Sequence, residues 1–235
     1  MPPVTALVSQ GDESRSGQAG GSGAAAASLD FAPYHAAGST NYGFDRGTPI
    51  DRFYFEEFLR EWSGDVRGDV LEVKSTAYAE RFGSGVAKVD VLDMDRGNAG
   101  ATVIADLGEP DTLPAAAYDC FVLMQTLQYV ARPELALANA WSALRPAGVL
   151  LLPVPTVQMI DTGLPDLWRF TPAGIGKLVE HVCTGAEADV RGYGNALASS
   201  AFLLGLAAQE LRRDHLRELD PAFPVVTCAR VRKPA

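Results

Sequence analysis

The chain has 235 residues, 47% of them hydrophobic, which is enough for one large domain with a substantial core. Its net charge of −9 argues against non-specific nucleic-acid binding, which needs a basic face, and its apolar runs are too short to suggest a membrane span. Three widely spaced cysteines, Cys120, Cys183 and Cys228, lie in apolar contexts and read as buried free thiols; with no charged-then-apolar leader pattern, a reducing cytoplasm is the expected location.

Residues 1–29 are rich in Gly, Ala and Ser and predict a flexible tail, because they bury too little apolar surface to offset the entropy of ordering. Residues 30–235 read as a single domain. Its first part, 30–52, is loop-rich and carries Tyr34, His35, Asn41, Tyr42, Asp45 and Arg46 among glycines. Two readings stay open for it: an irregular surface strap, or a lid that closes over a ligand and excludes water. Pro49 then opens a helix over 50–62, with Asp51 placing negative charge in its first turn. Phe53, Phe55, Phe58, Leu59 and Trp62 form its core stripe. Tyr54 lies one residue off that stripe and faces either ligand or solvent.

Short apolar runs follow at 69–73, 86–92, 102–106, 121–125 and 149–154. Runs of this length, bounded by Gly, Pro or Asp, suit parallel strands buried on both faces. Between them the pattern predicts a short helix over 77–82 and an amphipathic helix over 133–144. Later come a helix over 172–181 capped by Thr171, a sixth strand over 189–192, a long helix over 196–219 and a last strand over 223–231. Acidic groups at the carboxyl ends of such strands are where an open α/β sheet holds a nucleotide-like ligand. Asp106 is one. Asp90 or Asp93 ends the second strand, and Asp90 is the preferred residue. The irregular segment 156–170 also follows a strand's carboxyl end, where loops carry function. Its Trp168 and Arg169 either form an aromatic wall and an anion clamp for substrate or fix the loop to the core.

On these residues the chain resembles the class I S-adenosylmethionine (SAM) dependent methyltransferases. The resemblance is carried by Val70-Leu71-Glu72-Val73, Ile104-Ala105-Asp106-Leu107, Tyr118-Asp119-Cys120-Phe121, Thr126-Leu127-Gln128-Tyr129-Val130 and Leu144-Arg145-Pro146-Ala147-Gly148-Val149. Within that class it is similar to methyltransferase domains often found with glycosyltransferases. That match adds Tyr42 to Arg52, Gln125 to Gln128, Trp168-Arg169-Phe170-Thr171 and Tyr193-Gly194-Asn195, so it spans residues 40–233. The implied fold is α/β and Rossmann-like: a seven-stranded, mostly parallel sheet with an antiparallel last strand and helices on both faces. The implied activity is methyl transfer from SAM to a small-molecule acceptor such as a sugar or glycosylated natural product. A glycosyltransferase neighbour and a homo-oligomer are compatible with it, and no metal is called for.

The resemblance also implies roles. Glu72 supports the methionine amino group, Asp90 the ribose hydroxyls, and Asp106 with the Leu107 backbone the adenine; Gln125 adjoins the cofactor. Arg46, Tyr54, Gln128, Trp168 and Arg169 are the candidate substrate-facing residues, with the alternatives given above still open for Tyr54, Trp168 and Arg169. Tyr129 stands where many such enzymes have His. With a reference pKa of about 10 it is a poor base but can orient a hydroxyl. A base would come from His35, Tyr129 or a carboxylate at the sheet's edge. One position departs from the pattern: Lys74 replaces the first-motif glycine. It removes the residue that adopts positive φ freely and sets a cation near the methionine end of SAM, whose sulfonium it would repel. A second reading follows, in which the fold serves a non-methylating reaction or an inactive partner.

Overall fold

The computed structural model describes residues 36–235. The predicted tail at 1–29 and His35 lie outside the described residues. Seven strands form one sheet: β1 (Gly68–Val73), β2 (Val86–Asp93), β3 (Val103–Ile104), β4 (Tyr118–Val122), β5 (Leu144–Pro155), β6 (Glu187–Tyr193) and β7 (Val226–Arg232). Their spatial order is β3-β2-β1-β4-β5-β7-β6. The first five pair in parallel, whereas β7 inserts antiparallel between β5 and β6.

Both faces of the sheet are buried, as the apolar runs require. Along β1, β4 and β5, side chains alternate between two cores: Leu71, Phe121, Leu150 and Leu152 point into one, and Val70, Cys120, Val122 and Leu151 into the other. The helices α3 (Pro133–Ala143) and α4 (Pro172–Val182) cover the first core. The second lies under α1 (Ile50–Glu61), α2 (Ala77–Phe82), α5 (Ala196–Leu203) and α6 (Arg213–Arg217). In α1 the buried residues are Ile50, Tyr54, Phe55, Phe58 and Leu59, the i, i+4, i+5 stripe of a core-facing helix. Cys120, Cys183 and Cys228 are free and buried, and burial raises all three thiol pKa values.

Several boundaries differ from the sequence reading: β4 runs Tyr118–Val122, β5 Leu144–Pro155 and β6 Glu187–Tyr193, and three further differences bear on the site. The helix expected over 196–219 is broken: α5 ends at Leu203, a 3₁₀ turn covers Ala208–Glu210, and α6 is only five residues. The break falls at Gly205, which has φ +75 and lies so close to Ser39 that a Cβ there would stand 2.5 Å from its backbone N and O. A tertiary contact therefore ends a helix that composition would have continued. The last strand begins at Val226 rather than residue 223, behind Pro224. Strand β3 is two residues, because beyond Ile104 the chain turns at Asp106, whose carboxylate accepts from Gly108 N at 2.7 Å.

Candidate functional site at the carboxyl edge

Residue 74 ends β1 in the left-handed conformation, φ +71, that glycine adopts without strain. The turn thus follows the path of a glycine turn although a lysine occupies it. The Lys74 side chain, 68% exposed, swings sideways, and its ammonium lies 3.1 Å from Asp93 Oδ1. Asp93 is the last residue of β2 and is almost wholly buried. Its Oδ1 also accepts from Asp95 N at 3.0 Å, and its Oδ2 from Asn98 Nδ2 at 2.8 Å. Burial alone would raise its pKa, but these hydrogen bonds and the Lys74 charge hold it below the usual carboxylate range.

Asp90 sits three positions earlier, opposite Leu71 in the middle of the sheet. Its carboxylate accepts from Lys88 Nζ and Thr102 Oγ1 at 2.8 Å each and from Tyr118 OH at 3.2 Å. Because Tyr118 opens β4, Asp90 is held on the side of the strand body and not at the carboxyl rim. Sequence reasoning preferred Asp90; the register makes Asp93 the rim residue.

Glu72 is fully buried and turned beneath α2. Its two oxygens accept from Tyr78 N at 3.0 Å and Ala79 N at 2.7 Å, satisfying free N–H groups in the first turn of α2. Burial raises its pKa against the pull of those bonds. Asp106 is exposed beyond β3; Leu107 is buried, and its carbonyl accepts from Asn139 Nδ2 at 3.0 Å.

At the end of β4 a polar chain crosses to α1. Gln125, at φ +44, donates from Nε2 to Asp51 Oδ2 at 3.3 Å and accepts at Oε1 from Gln128 Nε2 at 2.7 Å. Gln128 is fully buried and its Oε1 has no hydrogen-bond partner. Burial lifts the Asp51 pKa to about 6, against the opposing pull of Arg52 and Gln125. Asp51 is therefore a group at this edge that can change protonation near neutral pH. The sequence showed it only as a first-turn acid; the available signal was its place inside the matched Tyr42–Arg52 stretch.

The remaining predicted residues are placed as follows. Tyr54 is core, and its hydroxyl donates to Leu216 O at 2.9 Å beneath α6. Arg46 pairs with Glu210. With Gly38 N to Leu204 O at 2.7 Å, Ala208 N to Thr48 O at 2.8 Å and a Pro49–Ala207 bridge, that pair docks residues 38–49 as a strap on the 204–210 segment. Arg169 knits its own loop: its guanidinium meets Asp166 and donates to the carbonyls of Trp168 at 2.8 Å and Met159 at 3.1 Å. Trp168 donates from Nε1 to Val130 O at 2.9 Å, fixing the loop against the Leu127–Tyr129 turn. Tyr129 reaches Asp161 Oδ2 at 3.4 Å. Beside it the Tyr42 hydroxyl is buried without a partner, and burial first, then Tyr129 and Asp161, push its pKa up to about 12. The structure therefore brings Lys74, Gln125, Gln128 and Tyr129 to the carboxyl edge with Asp51 and Asp93. It directs Tyr54, Arg46 and the Arg169 guanidinium into structural contacts. Among the described residues, no group of three or more His, Cys, Asp or Glu is placed to hold a metal, and no helix is long and apolar enough to cross a membrane.

Two cavities lie away from this edge. One, about 350 Å³, lies between α1 and α6; the other, about 590 Å³, sits at the amino edge beside Gly68, Asp119 and Gly148. The first is lined by Tyr54 and Tyr193, whose raised pKa values keep both phenols neutral, whereas the rim holds Asp51, which titrates nearer neutrality, and is the better guide to function.

No protein-family model matches this sequence, and no curated protein matches it. Solved structures do. An S-adenosylmethionine dependent methyltransferase from Mesorhizobium loti is 15% identical, with a TM-score of 0.52 over 78% of this chain and 98% of that one. A SAM dependent methyltransferase from Archaeoglobus fulgidus is 13% identical, with a TM-score of 0.52 over 78% and 94%. The 1,6-didemethyltoxoflavin-N1-methyltransferase of Burkholderia thailandensis, solved with 1,6-didemethyltoxoflavin and S-adenosylhomocysteine, is 15% identical, with a TM-score of 0.52 over 80% of each chain. The fold is the SAM-dependent methyltransferase fold. At such identities the likeness is one of architecture, and the β3-β2-β1-β4-β5-β7-β6 order with an antiparallel β7 is what the methyltransferase fold shares with this chain.

Proposed function

We propose that this protein transfers the methyl group of SAM to a small-molecule acceptor. The observation that carries the reading is the state of Lys74. Its backbone keeps the left-handed turn, and Asp93 neutralises its ammonium, so the residue that departs from the motif neither blocks the turn nor leaves a lone cation facing a sulfonium. A charge pair's field falls off faster than that of an isolated ion, which removes most of the repulsion.

The residues at the rim fit SAM. Asp93 would hold the ribose diol, sharing its oxygens with Lys74; a short carboxylate accepts two hydroxyl donors well. Asp106 and the Leu107 backbone would receive the adenine, and Gln125 would border the methionine end. Glu72 acts through α2, whose first turn it caps. SAM itself supplies the activated methyl, so the protein's work is to hold, orient and keep water from the reacting pair. The docked strap and the 156–170 loop close two sides of the edge. Gln128 and Tyr129 would position the acceptor, with the Trp168 ring, 42% exposed, as an adjoining wall. A sugar or glycosylated natural product is the acceptor class we favour, with a glycosyltransferase as the enzyme acting beside it. Cytoplasmic placement and self-association remain part of this proposal.

Calorimetry with SAM and S-adenosylhomocysteine tests it: micromolar binding by the wild type is expected. Absence of binding by the wild type together with clear binding by Lys74→Gly would overturn the reading in favour of a fold turned to other chemistry.

A further inference from the structure

Asp51 is a partly buried carboxylate. Among the described residues it has no ion-pair partner within 4.0 Å. Its neighbour Arg52 donates to it only from the backbone, at 2.7 Å. The Arg52 guanidinium turns away, donating to Tyr78 OH at 3.2 and 3.3 Å and stacking over the rings of Phe44 and Tyr78. The two cations placed nearby are already paired, Lys74 with Asp93 and Arg169 with Asp166. A carboxylate drawn out of water without a cation is costly unless something else supplies one.

The direction of the neighbouring hydrogen bonds reinforces this. An ionised carboxylate only accepts. Asp51 therefore orients the Gln125 amide toward itself, Gln125 orients Gln128, and the chain ends on the buried, unpartnered Gln128 Oε1. β1 and β4 are adjacent in the sheet, so the space above their carboxyl ends is bordered by Lys74 on one side and by Gln125 with Asp51 on the other. The second side therefore carries the unpaired Asp51 carboxylate.

We propose that Asp51 is a specificity-determining residue: its carboxylate is the counter-charge of the ligand's sulfonium, so that the site prefers SAM to its neutral product, S-adenosylhomocysteine. When the acceptor's lone pair takes the methyl, the S–CH3 bond breaks with its electron pair returning to sulfur and the acceptor's proton leaves to solvent; the ligand is then neutral and Asp51 uncompensated, which loosens the product. The inference rests on the function proposed above and says what its ligand site discriminates.

The titratable and charged groups around Asp51 are Arg52 on α1 and Tyr78 from α2; the neutral Gln125 faces it from the turn after β4, and Glu56 acts on Arg52 and Tyr78. Arg52 stays charged and Tyr78 neutral below pH 8, because burial raises the Tyr78 pKa. Asp51, at about 6, is the group of this set that titrates between pH 5 and 7.5.

The test is calorimetry of SAM and S-adenosylhomocysteine at pH 5 and pH 7.5 on the full chain. The two ligands share their amino-acid groups, so the ratio of their affinities cancels everything but the sulfonium. At one unit below its pKa, about a tenth of Asp51 is ionised, so the ratio in favour of SAM should rise severalfold, to a ceiling of about tenfold, between the two pH values. In Asp51→Asn the ratio should be independent of pH and no greater than the wild type's at pH 5. Should that variant not fold, Gln125→Met, which removes a hydrogen bond that lowers the Asp51 pKa, should shift the midpoint of the ratio upward. A ratio that stays constant with pH while both ligands bind the wild type would overturn the inference alone. Failure of both ligands to bind would remove the methyltransferase reading and this inference with it.

Discussion

Two aspartates three positions apart on one strand illustrate how little separates a side chain at the sheet's rim from one held in the strand body. Asp90 and Asp93 are both buried and both held below the ordinary carboxylate pKa, burial opposing and hydrogen bonds prevailing. Asp90 is answered from within by Lys88, Thr102 and Tyr118, whereas Asp93 ends its strand and meets Lys74 and Asn98 at the rim. Asp93→Asn should therefore weaken SAM binding by tenfold or more with little change in unfolding free energy. Asp90→Asn should destabilise the fold by about 1–2 kcal/mol, through a lost charge-assisted hydrogen bond, and leave SAM affinity within twofold. Calorimetry and urea unfolding on both variants would check the contrast; equal losses of affinity would show the assignment of Asp93 to the rim to be mistaken.

Among the elements, the strap over 38–49 depends on a broken helix. Residues 204–210 offer their carbonyls and amides to the strap because α5 stops at Leu203 and Gly205 lets the Ser39 backbone approach. Gly205→Ala meets two obstacles at once: a left-handed φ of +75 and a Cβ 2.5 Å from the Ser39 N and O. The loss expected is about 2 kcal/mol or more, from the conformational penalty and the displaced strap. Hydrogen exchange should localise it, with faster exchange at the Gly38 and Ala208 amides and none of the same acceleration at β1 or β4. Uniform acceleration throughout the chain would mean that the strap is not a separate docking unit. Glu72 makes a related point for α2. That helix is only six residues and has no side-chain cap from Thr76, so a strand carboxylate beneath it takes the capping role.

For the whole molecule, stability against pH is a contest between two sets of carboxyls. Asp90, Asp93 and Asp166 have depressed pKa values, so the stability they contribute is present above the unfolded value and lost as pH falls. Asp51 runs the other way. Its folded value, about 6, exceeds the ordinary 3.8, so the folded state holds the proton more tightly and stability declines as pH rises between about 4 and 6. Asp51→Asn should accordingly raise the unfolding free energy at pH 7.5 by ~1–2 kcal/mol, discounted for its partial exposure, and leave it unchanged at pH 4. Urea denaturation at the two pH values measures this. A gain at pH 4 equal to that at pH 7.5 would rule out ionisation as the origin. Destabilisation retained at a group poised to meet a cation is the usual relation between stability and function.

The apolar runs of β1, β4 and β5, part of the α1 stripe and the cap at Thr171 were readable in order along the chain, although Tyr54, read as lying off that stripe, belongs to it and Phe53 and Trp62 are only partly buried. Each depends on a local period or on a side chain bonding its own backbone, as Thr171 Oγ1 does in accepting from Gly174 N at 3.1 Å. Sheet membership and the face each strand buries follow from those periods. What a polar side chain does at the end of an element does not, because its partner is remote in sequence. Lys74 finds Asp93 nineteen positions away, Asp51 finds Gln125 seventy-four away, and Arg46 finds Glu210 at 164. The carboxyl, amide or guanidinium is supplied by residue type; whether it faces a ligand, a helix end or another charge is decided only when the tertiary fold brings those distant groups together and each settles on the partner that best offsets its loss of water.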